Sequence, residues 1–418
     1  MSRSSSQAPE GARRRAGLIF IAITVCLDVV SQSITFPILP RLCQELVAGD
    51  RPSAARWVGI LEAAWALAQF FAAPVLGMLS DRFGRRPVIV LSVFGVAIEF
   101  VICALVPTVE WLLAARILCG LTCGAQAAAM AYVADVTPPE DRTKSYGWLN
   151  AAAWTGVILG PALGGLFGAI NIRAPFWLAA AVALAGGVYG YLVLPESLPR
   201  ERRAPLRWSK ASPWGALRLL LDRPGLAGLG VVLLLLWFAA HAMNSVFVLY
   251  TAYRYGWDPL TLGIFCSALA ALNIPIQSSL AGRVATRIGE RATVVAGLAL
   301  QVVGFTAVGL APNGMLFCLA YLPMAFASIA GPALQAMMTG KVGSDEQGRL
   351  QGAMGAIGCL AGLGGPIAFT QVFAWTIADG RGIAWSGGVV LFGAVLSLGA
   401  WGLAIRYATD VPKPAAAR

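Results

Sequence analysis

The chain has 418 residues, of which 58% are hydrophobic and 12% charged, and its mean hydropathy is +0.72. A soluble domain carries about 25% charged residues, so this chain cannot cover a water-facing surface and is expected to be an integral membrane protein. The formal net charge of +11 does not indicate nucleic-acid binding, because that role needs a basic face on a soluble domain and none is predicted.

Twelve apolar stretches are long enough to cross a bilayer, which takes about 20 mostly apolar residues in a helix. A transmembrane β-barrel would instead show short segments of alternating hydrophobicity. The prediction is an all-α membrane protein with 12 transmembrane helices. The predicted spans are 17–39, 57–79, 87–107, 110–133, 145–170, 175–194, 225–250, 259–281, 292–311, 314–338, 350–375 and 383–406.

The distribution of Lys and Arg predicts the orientation of these spans. If the N-terminus is cytoplasmic, the cytoplasmic segments hold 24 of the 31 basic residues when Arg406, at the very end of the last span, is counted with them; the outer loops hold 6, and Arg116 alone lies well inside a span. Cytoplasmic loops carry an excess of Lys and Arg. We therefore expect a multi-pass protein of the inner (plasma) membrane with both termini in the cytoplasm.

The spans divide the chain into two units of six. Residues 1–16 are expected to be a disordered cytoplasmic tail, because the apolar run that follows is longer than that of a signal peptide. Residues 17–194 and 225–406 are predicted to form two six-helix bundles. The polar, basic and proline-rich segment 195–224 is predicted to be a cytoplasmic linker, and 407–418 a second tail.

A sequence repeat relates the two units. LGMLSDRFGRRPVIV (76–90) aligns with AGRVATRIGERATVV (281–295), and the same offset aligns the Gly-Pro pair at 160–161 with the pair at 365–366. These matches indicate duplication of a six-helix unit. Transporters with such parallel repeats bind their substrate between the two halves, near the middle of the membrane.

A charge cluster lies in the turn between predicted spans 2 and 3. Its arginines satisfy the positive-inside rule, but that rule does not explain Asp81. A carboxylate here can pair with an arginine or with a helix N-terminus, and a contact of this kind across the seam between the halves would act as a latch. The residues of this predicted gating motif are Gly77, Asp81, Arg82, Gly84, Arg85 and Arg86.

Ionisable groups inside predicted spans are candidates for function, because they are costly in a membrane. Asp28 lies in the middle of span 1, and Thr24, Gln32 and Thr35 share its helix face. A polar face of this kind predicts a wet cavity. The alternative is a buried hydrogen bond that serves structure alone.

Three further ionisable residues lie in spans 2 to 4. Glu99 has apolar neighbours, which suits a proton carrier, although an interhelical hydrogen bond would also fit. Glu62 lies near the outer end of span 2, from where its side chain could reach the outer surface. Arg116 requires a carboxylate partner, for which Glu99 and Asp28 are candidates. The ion pair would serve either structure alone or a proton-linked switch.

The predicted spans of the second half contain no Asp or Glu. His241 shares one helix face with Asn244 and Ser245. Since it is the only His, zinc sites built on several histidines are excluded, and a neutral hydrogen-bonding role is favoured over proton transfer. The predicted substrate-binding and coupling residues of the chain are Asp28, Gln32, Glu62, Gln69, Glu99, Arg116, Asn150, Trp154, His241, Asn244, Asn273, Gln277, Gln301 and Gln335.

Span 5 carries a glycine-rich motif, which comprises Gly156, Gly160, Pro161, Gly164 and Gly165. Glycines four residues apart let helices approach closely, and the proline loosens the helix locally. Close packing alone would explain the pattern, and a pivot for the transport cycle is the alternative.

Several motifs resemble those of a known superfamily. GMLSDRFGRRP resembles the loop motif of the major facilitator superfamily, RILCGLTCGA (116–125) its fourth-helix motif, and GVILGPALGG (156–165) the fifth-helix motif of its antiporters. FPILPRL, YRYGWDPLTLG and AGRVATRIGER resemble the tetracycline/proton antiporter family in order and spacing, over roughly residues 20–405. The resemblance implies the major facilitator fold, with two pseudo-symmetric six-helix bundles, and a fifth-helix pivot that favours export.

The chain also departs from that family. The family has an acidic residue at Asp28 and an Asp at the position of Glu99, but usually an apolar residue at the position of Glu62. It often has His where this chain has Asn273, and Asp where this chain has Gln301. Because the resemblance links both of those residues to proton coupling, it implies that this chain couples differently or carries something other than metal-chelated tetracycline.

We therefore expect a secondary active transporter that exports an amphipathic organic compound, a tetracycline-like drug or related metabolite, in exchange for protons. The alternative is a proton-coupled symporter or facilitator that imports a small organic solute. An enzyme is not expected, because the chain lacks a nucleophile elbow and a nucleotide loop. We expect no cofactor or metal. The expected partners are the substrate, protons and the bilayer, and the expected state is a monomer.

Overall fold

The structure is a computed structural model that describes residues 10–138, 141–203, 220, 224–342, 346–378 and 382–408. Within these ranges twelve helices are long and apolar enough to cross a membrane, and no β-strand is formed, so the predicted fold class is confirmed. The helices are α1 (Glu10–Thr35), α2 (Arg51–Phe83), α3 (Arg85–Leu105), α4 (Val109–Thr122 and Ala125–Val136), α5 (Arg142–Ile170), α6 (Ala174–Val193), α7 (Pro224–Asn244 and Phe247–Tyr255), α8 (Pro259–Pro275, Ile276–Leu280 and Ala281–Ile288), α9 (Glu290–Leu310), α10 (Gly314–Ala327 and Ala330–Thr339), α11 (Gln347–Thr376) and α12 (Gly388–Tyr407).

The N-terminal boundary differs from the prediction. Helix α1 begins at Glu10, so the predicted disordered tail 1–16 is too long. The residues that extend the helix are mostly Ala and Arg, which are strong helix formers. Most of the predicted linker 195–224 and nearly all of the predicted tail 407–418 lie outside the described residues, so both stay predictions.

Helix α2 is longer than the predicted span 57–79, because a capping residue precedes it. The carboxylate of Asp50 accepts a hydrogen bond from the backbone N–H of Ser53 (3.0 Å), which satisfies one of the free donors at the helix start. The hydrogen bonds from Ser53 hold the pKa of Asp50 below its ordinary value. The helix therefore begins at Arg51.

Four spans that were predicted to be continuous are interrupted. Helix α4 breaks at 123–124 and α10 at 328–329, so the two breaks are related by the same offset of 205 residues as the sequence repeat. In α10 the cause is Pro332, which lacks the N–H that would bond to the carbonyl of the residue four positions earlier. The predicted spans 17–39 and 225–250 are also interrupted, at 36–38 and 245–246.

The helices form two halves, α1–α6 and α7–α12. We call the side of the bundle at which α1 begins and α12 ends the tail side, and the opposite side the loop side. On the loop side one hydrophobic cluster includes residues of both halves, among them Ile34, Phe100, Tyr250 and Phe373. On the tail side each half has a cluster of its own. The halves are therefore packed together on the loop side and apart on the tail side.

Close backbone contacts join the halves on the loop side. A Cβ atom on Gly165 of α5 would lie 2.5 Å from the carbonyl oxygen of Pro259 in α8. One on Gly59 of α2 would lie 3.1 Å from the carbonyl oxygen of Pro366 in α11. Because only glycine fits at these points, the pairs α5–α8 and α2–α11 approach as closely as helices can.

The repeated turns of the two halves share one backbone conformation. Gly84 (φ +113°) and Gly289 (φ +87°) are 205 residues apart, and both have the positive φ that glycine adopts most readily. In the first half the carboxylate of Glu196 accepts a hydrogen bond from the backbone N–H of Arg85 (2.9 Å), at the first turn of α3. The predicted turn is thus a helix-capping structure.

The glycines of span 5 pack against α1. A Cβ atom on Gly156 would lie 2.8 Å from the backbone nitrogen of Val30, and one on Gly160 would lie 2.9 Å from that of Ile34. Such distances are shorter than van der Waals contact, so both positions exclude any side chain. Close packing of the motif is therefore present in the structure.

We predict that Gly160→Ala lowers the thermal stability of the detergent-purified protein, because the added methyl group must push α1 and α5 apart. Overpacking of this kind costs roughly 1–3 kcal/mol. Gly147→Ala is the matched control on the same helix, since a Cβ atom there would meet no atom within 4 Å. Its melting temperature should equal that of the wild type or exceed it. Equal melting temperatures for the two variants would contradict the packing.

Candidate functional site

A cavity of about 870 Å³ lies between the two halves. It begins below the loop-side contacts and extends along α2 and α4 to Ala73 and Met130, toward the tail side. Both halves contribute polar and aromatic side chains to its wall, which fits the predicted position of a substrate site. We call it the main cavity. Its lining includes Asp28, Gln32, Phe36, Trp65, Gln69, Gln126, Trp154, Asn244, Asn273 and Tyr321.

Asp28 is the charged residue of the main cavity. It is 5% exposed, and its Oδ2 accepts a hydrogen bond from Nε2 of Gln32 (3.0 Å) on the same helix face, as the sequence pattern predicted. Its other oxygen, Oδ1, is buried and has no hydrogen-bond partner among the described residues. A ligand with a hydrogen-bond donor or a positive charge would satisfy this oxygen.

A second cavity of about 450 Å³ adjoins the main cavity, and the two share Gln32, Phe36, Trp65 and Asn244 in their walls. We call it the side chamber. It contains four of the ionisable residues singled out in the sequence, which come from helices α2, α3, α4 and α7. These residues are Glu62, Glu99, Arg116 and His241.

Arg116 forms an ion pair with Glu99, with 2.6 Å between Nη1 and Oε1, so Glu99 rather than Asp28 is its partner. The Glu99 side chain is 1% exposed. The guanidinium also lies over the ring of Trp65, 5.7 Å from the ring centroid. Next to it, Gly120 leaves room for α2, since a Cβ atom there would lie 2.5 Å from the Trp65 carbonyl oxygen.

Glu62 contacts the second half instead of the outer surface. Its Oε2 accepts a hydrogen bond from Oγ of Ser245 (2.5 Å), at the break in α7. The suggestion that Glu62 reaches the outer surface is therefore wrong, because α2 extends beyond its predicted span and places the residue deeper. His241, one turn before Ser245, packs against Gly365 of α11.

A third cavity of about 690 Å³ lies within the second half and shares Met243, Asn244 and Tyr321 with the main cavity. Its polar lining consists largely of amides. Nε2 of Gln335 donates a hydrogen bond to Oε1 of Gln351 (3.4 Å). The other amide-bearing residues that line it are Asn244, Gln277 and Gln301.

Thirteen of the fourteen predicted substrate and coupling residues line one of these three cavities. Asn150 does not, since it lies one turn nearer the tail side than Trp154, where the halves are apart and α5 is exposed. Gln126 and Tyr321 were missed. The signal for Gln126 was an amide in an apolar span, two residues after Gly124, whereas no pattern distinguished Tyr321 from a core aromatic.

The predicted gating motif forms a charge network inside the first half. Nη1 of Arg85 lies 2.5 Å from Asp81, and its Nε lies 3.0 Å from Asp135. Asp81 remains half exposed, at the tail-side end of α2. The structure thus brings Asp81 to a neighbouring arginine, and a contact with the second half stays a prediction for the state in which the tail side is closed.

One further feature is repeated in the two halves, an arginine that bonds to the end of a neighbouring helix. Arg86 donates a hydrogen bond to the carbonyl of Tyr191 in the last turn of α6. Arg291 does the same for the carbonyl of Ile405 (3.3 Å) in the last turn of α12. Each arginine satisfies a carbonyl that has no partner within its helix. The repeated arginines therefore close the end of each half.

These features can be compared with known proteins. The family model of the Major Facilitator Superfamily matches residues 21–366. The chain belongs to the Major Facilitator Superfamily. Its family and fold are those of membrane transporters, and with its twelve apolar helices it is a multi-pass membrane protein.

Within the superfamily, the chain is similar to tetracycline resistance proteins. The chain is 35% identical over 387 residues to the class C tetracycline resistance protein of Escherichia coli, which covers 92% of this chain and 97% of that protein. It is 33% identical over 390 residues to the class G protein of Vibrio anguillarum, at 92% and 96% coverage. The predicted resemblance to this group of superfamily members is confirmed.

A solved structure supports the same assignment. The crystal structure of the human organic anion transporter MFSD10 (TETRAN) is similar to this chain with a TM-score of 0.68 at 25% sequence identity. The match covers 95% of this chain and 100% of that one. The predicted arrangement of two six-helix bundles is thus a major facilitator fold.

We predict that Glu99→Gln and Arg116→Met each destabilise this superfamily member strongly, because either change leaves a buried group without its partner, at roughly 3–5 kcal/mol. The double variant should be more stable than Arg116→Met or Glu99→Gln alone. Thermal unfolding of the purified proteins measures this. Losses that simply add in the double variant would mean that the ion pair does not hold α3 and α4 together.

Proposed function

We propose that this protein is a secondary active transporter that exports an amphipathic organic compound, a tetracycline-like drug or a related metabolite, in exchange for protons by alternating access. The observation that carries the proposal is the main cavity of about 870 Å³, enclosed on the loop side and bordered by both halves. This volume is that of a drug-sized site. The chain's relatives include proteins named for tetracycline resistance.

The direction of transport follows from the proposed orientation. The excess of Lys and Arg favours a cytoplasmic tail side, so the structure corresponds to a state that loads substrate from the cytoplasm. Gly165 and Pro161 of the glycine-rich motif lie at the loop-side contact with α8, which must open to release the substrate. This position supports a pivot on the export route.

The charge of the main cavity limits its substrate. Asp28 offers a buried carboxylate oxygen, whereas Arg116 is already paired with Glu99. An anionic substrate would find no unpaired cation among the described residues of these walls. Trp65 and Trp154 provide aromatic faces for apolar or cationic groups. The site is therefore suited to a neutral, zwitterionic or cationic compound.

Asp81 is proposed to act when the tail side closes. It lies at the tail-side end of α2, the helix that contacts α11 across the halves near Gly59. As the loop-side contact between these two helices opens, their tail-side ends come together. Asp81, now held by Arg85, then meets the second half and stabilises the closed state.

Expression in a bacterium that lacks its own drug exporters tests the function. The wild type should raise tetracycline resistance and lower accumulation of the labelled drug. Asp81→Asn should reduce export about tenfold, a loss of ~1.4 kcal/mol, at an unchanged amount in the membrane. Glu110→Gln removes an exposed carboxylate at the start of α4 and should transport normally. Increased uptake of a labelled solute without resistance would instead identify an importer.

The substrate class is tested by binding to the purified protein, with a tetracycline, a cationic dye and a dicarboxylate as probes. Asp28→Asn should weaken binding of the cationic dye about tenfold, because the carboxylate charge is lost. Asp258→Asn is the matched control, since Asp258 caps α8 outside the cavity and Asn caps as well as Asp. Selective tight binding of the dicarboxylate, unaffected by Asp28→Asn, would overturn the assignment.

A further inference from the structure

We propose that Glu62 binds the transported proton, and that a proton on Glu62 stabilises the arrangement in which the loop side is closed. The inference rests on the proposed function as a proton-driven exporter. It adds the residue at which the proton acts and the direction in which the proton shifts the two halves.

Glu62 lies in the part of the seam where the halves are closest. One turn before it, a Cβ atom on Gly59 would lie 3.1 Å from the carbonyl oxygen of Pro366. One turn after it, Ala66 faces Gly362 of α11 at a corresponding distance of 3.6 Å. Ser245 belongs to the same half as α11. Opening the loop side moves that half away from α2, and must therefore break the hydrogen bond from Ser245 to Glu62.

Glu62 differs in this respect from Asp28 and Glu99, the other two buried carboxyl groups that line the main cavity or the side chamber. Asp28 receives its hydrogen bond from Gln32 of the same helix. Glu99 pairs with Arg116 of the same half. Of the three, Glu62 alone is joined by a described hydrogen bond to the second half. A proton on Glu62 therefore changes the contact that opening breaks, whereas a proton on Asp28 or Glu99 changes contacts within one half.

The charges around Glu62 determine the sign of the effect. The other charged or titratable groups that line the side chamber are Glu99, Arg116, Cys119 and His241. Because Glu99 offsets Arg116, an ionised Glu62 leaves a net negative charge in an apolar seam, which is costly. A protonated carboxyl avoids that cost and still exchanges a hydrogen bond with the Ser245 hydroxyl. Once the loop side opens, water can solvate the carboxylate.

The same geometry gives the proton an exit toward the tail side. The side chamber and the main cavity share Gln32, Trp65 and Asn244, so a proton that leaves Glu62 enters the wall of the main cavity. A cationic group bound at Asp28 favours that departure by charge repulsion. The proton is thus taken up from the loop side, closes that side, and is displaced by the substrate.

Hydrogen–deuterium exchange of the purified, drug-free protein tests the inference. The reporter segments are 39–56 and 247–262 on the loop side, compared as protection factors at mildly acidic and mildly alkaline pH. In the wild type we expect protection to fall by about tenfold as pH rises, since deprotonation opens the loop side. Glu62→Gln mimics the protonated group and should stay protected at both pH values.

Ser267→Ala is the matched control. Its hydroxyl donates a hydrogen bond across the seam to the carbonyl of Ile158 (2.6 Å), a contact without an ionisable group. This variant should lose some protection at both pH values but keep the pH dependence. Ser245→Ala should weaken the dependence, because it removes the partner of Glu62.

The outcomes separate the inference from the proposed function. Glu62→Gln with the full pH dependence of the wild type would overturn the inference, even if the protein exports drugs. A pH dependence that is lost only in the Glu62 and Ser245 variants supports the inference. If no drug moves protons in wild-type vesicles, the proposed function is rejected, and with it the assignment of this proton as the transported one. The link between a proton on Glu62 and closure of the loop side would still be supported.

Discussion

A charged group inside a membrane helix needs a partner of opposite charge. In this chain Glu99 and Arg116 form such an ion pair. The pair ties α3 to α4, and the guanidinium lies over Trp65 and so orients α2 as well. Three helices of the first half are thereby fixed around one chamber wall. With the arginine neutralised, the charge of the chamber and of the main cavity is decided by Glu62 and Asp28.

The two halves share a backbone plan but not a chemistry. Gly84 and Gly289 form equivalent turns, yet the positions that match Asp81 and Arg85 hold Thr286 and Glu290. The first half also supplies the buried carboxylates, while the second supplies amides. The shared backbone plan therefore provides the movement of one half against the other, and the carboxylates whose charge a proton can remove come from the first half.

The spans, their number and the repeat were predictable because burial in lipid leaves a composition signal in every window of about 20 residues. The break in α10 was not predicted, because Pro332 acts through a single missing N–H within a continuous apolar run. Residues that line a cavity were found because polar side chains are rare in such runs. The hydrogen-bond and ion-pair partners of these residues could not be predicted. Arg116 had two possible carboxylate partners, and the hydrogen bond between Glu62 and Ser245 depends on how the halves meet in space.

The breaks in α4 and α10 have a consequence for how the sequence of such a protein can diverge during evolution. Irregular backbone is tolerated at membrane depth only where it is covered by protein or lines a cavity. Cys123 lies at the wall of the main cavity and Ser328 at that of the amide-lined cavity. Some main-chain groups at such a break have no helical partner, as does the carbonyl of Ser328, which Pro332 cannot bond, and no side-chain mutation that keeps the break removes them. Neighbouring side chains can then diverge, and with them the range of compounds accepted, while a constant set of hydrogen-bonding groups remains.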